Sequence, residues 1–61
     1  MTDIELKKYA LVGLLLSIET EQKKLKKTTD EIRRTHIQNK IDTMKQQYDT
    51  LVIEVKQNHS V

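Results

Sequence analysis

From Ile37 to Val55 the apolar residues step by four and three without a break: Ile37, Ile41, Met44, Tyr48, Leu51 and Val55. That alternation predicts one helix with a single coiled-coil seam. Arg34 and Asp30 extend the stripe backward, so the seam turns polar at its start. The first half of the chain reads differently. Ile4, Leu11, Ile18 and Leu25 recur every seven residues, and Leu14 and Leu15 fall on the same stripe of a helix turning about 100° per residue. A second apolar set, Leu6, Tyr9, Val12 and Leu16, points to the far side together with Gly13. Between Tyr9 and Ile18 apolar residues therefore cover every side. A helix that is apolar all round is buried all round. Beyond Ser17 the far side turns to Thr20, Lys23, Lys24 and Lys27, so the second face is local. One returning helix covers one face only. The other needs a second chain, another protein or a membrane surface.

The ends of these elements are marked by polar residues. Thr2-Asp3-Ile4-Glu5 reads as a capping box, and its acids suit the positive end of a helix dipole. Asp3–Lys7 and Glu19–Lys23 are favourable pairs one helical turn apart. Thr28-Thr29-Asp30-Glu31 has the form of a second box, preceded by Lys23, Lys24, Lys26 and Lys27. A basic helix end followed by a capped acidic start is how two helices abut. The sequence thus predicts a first helix over about 3–27, a turn over about 27–29 and a second helix over about 29–57. The last residues, Gln57 to Val61, are expected to fray. The two seams are offset by two residues, which neither kind of heptad discontinuity explains, so the chain breaks at the turn. Helices of similar length with a short link form an antiparallel hairpin. Leu25 is then expected near Ile32 or Arg33, Ile18 near Ile37, Leu15 near Ile41, Leu11 near Tyr48, and Ile4 near Leu51 and Val55. One continuous helix in a parallel coiled coil is the alternative.

Composition narrows this further. The 61 residues make a single domain, with 33% charged residues, one Gly and no Pro, Cys, Phe or Trp. Domains this small are marginal alone and are held by disulfides, a metal or association. Without cysteine, association is the expected staple, and the setting reads as cytoplasmic. The fold class is all-α: a coiled-coil-like hairpin that pairs, as a homodimer, into a four-helix bundle through Leu6, Tyr9, Val12, Gly13 and Leu16. The ten-residue apolar stretch is shorter than the roughly 20 residues that span a membrane. The acidic start does not read as a signal or transit peptide.

No catalytic residue, cofactor or metal site emerges. The hydroxyls, among them Ser17, Thr20, Thr35, Thr43 and Thr50, carry no nucleophile signature. His36 and His59 are too far apart to act as a helical ligand pair. The basic cluster Lys23, Lys24, Lys26, Lys27, Arg33 and Arg34 surrounds the turn, with a formal net charge of +2 over the chain. It reads as a solvated helix end, an acidic-partner surface or a phosphate contact. No aromatic interleaves it for base stacking. In length and pattern the chain resembles small bacterial helical hairpins that dimerise into bundles, such as the plasmid RNA-binding Rop type. The resemblance is architectural and transfers no residue roles. The expected function is that of a non-enzymatic regulator binding a larger protein, such as a transcription regulator. A phage- or plasmid-encoded accessory protein is the fitting type. The alternative is a nucleic-acid-binding bundle.

Overall fold

A computed structural model describes residues 2–59, with side chains through Gln57. It is an antiparallel hairpin of two helices, α1 (Asp3–Lys27) and α2 (Glu31–His59). The helices pack against one another in a body of 47 × 17 × 12 Å. Helix α1 starts where the sequence indicates. The Thr2 side chain is in an extended cap and accepts from the Glu5 backbone N–H at 3.2 Å. Gln57 to His59 are helical where a frayed end is expected. Ser60 and Val61 lie outside the described residues.

The turn is built differently from the expected capping box. The Thr28 hydroxyl does not serve α2; it donates back to the Lys24 carbonyl at 2.7 Å. Its backbone N–H donates to the Leu25 carbonyl at 3.3 Å. Thr28 is extended, with φ −90° and ψ 127°, and none of the described residues adopts positive φ. Helices usually close their last carbonyls with a left-handed glycine. Here Arg34 substitutes for it. Its Nη1 reaches back to the Leu25 carbonyl at 2.9 Å and the Thr28 carbonyl at 2.8 Å. That is why the turn needs neither Gly nor Pro. The link is Thr28–Asp30, and α2 begins about two residues later than its spacing suggests.

On α1 the side chains turned toward α2 are Ile4, Lys7, Leu11, Leu14, Ile18, Glu21, Leu25 and Thr28, all at least partly covered. They keep the four-three step, with polar residues at three positions. On α2 the seam is Ile37, Ile41, Met44, Tyr48, Leu51 and Val55, all partly or fully covered, as its spacing indicates. Ile18 and Ile41 alone among the described residues are fully buried, at 6% and 1% exposure. Leu15 leaves the seam: it is exposed, and Leu14 takes the inward place.

Ion pairs cross between the helices. Lys7 Nζ lies 3.3 Å from Glu54 Oε2, and Lys40 Nζ lies 3.6 Å from Glu21 Oε1. In both pairs the residue numbers add to 61. The pairs expected from the sequence add to between 55 and 59. The helices are thus slid relative to that expectation. The later start of α2 moves the register in the same direction.

Two stability predictions follow from this packing. Ile41→Ala empties the best-covered place in the seam and should cost about 2–5 kcal/mol, enough to abolish a cooperative thermal transition read by circular dichroism. Ile32→Ala, at a position 81% exposed, should leave that transition within about 0.5 kcal/mol. Arg34→Ala should lower stability by about 1 kcal/mol through loss of the cap, while Arg33→Ala should not. Equal melting curves for the two arginine variants would refute the capping role.

Candidate interaction face

Helix α1 has a second side. Leu6, Tyr9, Val12 and Leu16 are 52% to 65% exposed, and Leu15 is exposed beside them. At about 100° per residue, this set centres about 170° from the α1 seam, directly away from α2. Its position follows from the apolar-all-round stretch: the seam takes Leu11, Leu14 and Ile18, and the remaining apolar residues have nothing to cover them within the chain. A shallow groove runs along the face between Glu5, Lys8, Tyr9 and Val12. Tyr9 and Val12 thus share this groove with a carboxylate and an ammonium.

Gly13 borders this face. A Cβ built there meets nothing within 4 Å. The glycine is therefore not required by packing inside the hairpin, and its φ is ordinary. It costs about 1 kcal/mol of helix propensity relative to Ala. What it offers is an unobstructed backbone next to Tyr9 and Leu16.

The basic cluster is only partly free. Arg34 is engaged as the cap of α1. Lys24 Nζ lies 3.6 Å from Glu21 Oε1, the same oxygen that Lys40 approaches from α2. Glu21 has only 12% of its side chain exposed, so it sits between two lysines at the edge of the seam. Lys23, Lys26, Lys27 and Arg33 are exposed and make no ion pair or hydrogen bond among the described residues. By their wheel positions Lys23 and Lys27 lie in line with the apolar face, Lys26 lies to one side of it, and Arg33 belongs to α2. The hairpin spreads the cluster around its turn end instead of gathering it on one surface.

Other candidate chemistry is absorbed by the helices. Thr20, Thr43 and Thr50 donate to the carbonyls of Leu16, Asn39 and Gln46, each four residues earlier, at 2.9 to 3.0 Å. Such back-bonding is the ordinary resting place of a helical threonine. His36 is exposed on α2, and the His59 side chain lies outside the described residues. Among the described residues no three His, Cys, Asp or Glu side chains gather as metal ligands. No helix is long and apolar enough to cross a membrane.

Lys7 and Glu21 were not legible as functional positions. They occupy seam places at four-three spacing, a signal that an apolar count passes over. No family model, curated protein or solved structure matches the chain.

The vacancy at Gly13 generates a direct prediction. In the isolated hairpin Gly13→Ala should raise stability by about 1 kcal/mol. If another helix closes on this backbone, the same change should weaken association. Thermal melts at low concentration read the first effect, and sedimentation equilibrium reads the second. A destabilised Gly13→Ala monomer would show that the glycine is needed within the fold.

Proposed function

We propose that this chain is a small non-enzymatic interaction protein. It pairs with a second copy through Leu6, Tyr9, Val12, Gly13 and Leu16, making a dimeric four-helix assembly, and it binds and modulates a larger protein. One observation carries the reading: four large apolar side chains are more than half exposed on a hairpin that fully buries only two. Contiguous exposed apolar surface of this kind marks an interaction site. Tyr9 has the residue type and the central exposure of an interface anchor. The larger target is of the transcription-regulator class, and the setting is cytoplasmic, as befits a phage- or plasmid-encoded accessory protein.

A second reading rests on Lys23, Lys26, Lys27 and Arg33, the unpaired cations at the turn end. They supply phosphate contacts for duplex DNA or RNA. The diversion of Lys24 and Arg34 into other bonds weakens that reading.

Val12→Glu should abolish self-association, since it forces a charge into a desolvated contact. Sedimentation equilibrium at several concentrations measures it. A wild-type chain that stays monomeric at about 100 µM, or a Val12→Glu chain that associates as the wild type does, would overturn the pairing. Titration with duplex DNA and RNA at two salt concentrations separates the second reading. Lys23→Glu with Lys27→Glu should leave nucleic-acid affinity unchanged if that reading is wrong and reduce a steeply salt-dependent affinity if it is right.

A further inference from the structure

The self-association proposed above has one arrangement that the surface of α1 favours, and the following inference rests on that reading. Along the outer side of α1 the residues Glu5, Tyr9, Val12, Leu16, Glu19, Lys23 and Lys26 repeat the four-three step, a second seam opposite the one used by α2. Its middle is apolar. Its start carries Glu5 and its end Lys23 and Lys26, in keeping with the acidic first turn and basic last turn of the helix. We infer that a second copy docks on this seam with its α1 antiparallel, so that Glu5 meets Lys23 of the partner subunit at each end.

Three observations support the arrangement. The first is charge. An antiparallel pair that sets Glu5 against Lys23 of the partner subunit also sets Val12 against Leu16 of the partner subunit and Tyr9 against Glu19 of the partner subunit, where a phenol can donate to a carboxylate. The twofold operation repeats each contact. A parallel pair would set Glu5, Glu19 and Lys23 each against itself, which is repulsive.

The second is area. A compact protein of this mass would expose about 4,100 Å², and the chain exposes 4992 Å². The excess is about 900 Å², close to the roughly 800 Å² that one partner contributes to a standard interface.

The third is the character of the hairpin's other sides. On one flank Lys8, Gln22, Gln38 and Lys45 outnumber Leu15 and Val52; on the other Ser17, Lys40, Gln47 and Glu54 outnumber Leu6 and Ala10. The outer side of α2 carries Ile32 and Ile53, 21 positions apart among polar residues. The outer side of α1 is the surface on which apolar residues stand one turn apart. The two α1 helices then lie together at the centre, with each α2 on the outside. The four helices form a row instead of a square.

The test uses the full chain at low ionic strength, with sedimentation equilibrium as the readout and far-UV circular dichroism as the control for folding. Glu5→Lys alone and Lys23→Glu alone should each weaken the dimer about tenfold, because each reverses an attraction at two symmetric places. The double variant should recover wild-type affinity. High salt should shrink all three differences. The chain has no cysteine, so a mixture of Glu5→Cys and Lys23→Cys chains gives a second, direct readout. Mild oxidation should yield the mixed 5–23 disulfide. Two copies of residue 5 lie about 27 Å apart along an antiparallel pair, so the 5–5 disulfide should be scarce.

Single charge reversals that leave the affinity unchanged, or a dominant 5–5 disulfide, would overturn the antiparallel arrangement while leaving association through the face standing. A dimer insensitive to Val12→Glu as well would remove the underlying reading itself.

Discussion

Two helices in contact can shield one stripe on each, and the rest of this molecule follows from that limit. The stripe on α1 is narrow, because Lys7, Glu21 and Thr28 hold three of its positions. Among the described residues only Ile18 and Ile41 are buried. The other seam residues are largely but not fully covered, because no third element closes the sides. Meanwhile α1 carries a second apolar side that α2 cannot reach. The chain thus has less core than a domain of its length ordinarily needs and more apolar surface than a solitary hairpin ordinarily shows. One partner on the outer face of α1 corrects both at once.

The polar residues in the seam have a different role from the apolar ones. Exposed or half-exposed ion pairs contribute little to stability. Their value here is register. Lys7 with Glu54, and Glu21 with Lys40, fix the same offset at two places along the hairpin. Sliding the helices by one heptad would keep the four-three steps in phase. It would also set Lys7 opposite Gln47 and Leu14 opposite Lys40. The short link Thr28–Asp30 restricts such a slide, and the observed offset is the one that satisfies both charged pairs. Polar residues at seam positions are used this way in coiled coils generally.

Much of the fold was legible in the sequence because it depends on local spacing. The uninterrupted four-three step from Ile37 to Val55 places the α2 seam, and the Thr2–Glu5 spacing places the start of α1. The exposed side of α1 was legible for the same reason: an all-round apolar stretch overflows any single stripe, whatever the partner helix does. What was not legible depends on competition between distant groups. Thr28 could cap α2 or close α1, and the choice is made by Arg34, six residues on, whose guanidinium completes the α1 terminus. In one dimension Arg34 is merely another cation in a basic run. Leu14 and Leu15 flank Leu11 on the wheel, about 100° apart, and only the position of α2 decides which turns inward. Glu21 has no apolar spacing to mark it, although two lysines from different helices converge on it.

The charges along α1 serve two purposes with the same residues. Acids in the first turn and lysines in the last suit the helix dipole within one chain. The same polarity makes the outer side of α1 self-complementary when it is reversed end to end. The apolar strip between those ends is short, bounded by Glu5 on one side and by Glu19 and Lys23 on the other. In the proposed pairing both copies would use that strip in an isologous contact, and association would then close at the dimer instead of propagating into a fibre. On that reading the charged boundaries of the strip belong to the interaction surface as much as its apolar residues do, because they mark where it ends and which way round a second chain would lie.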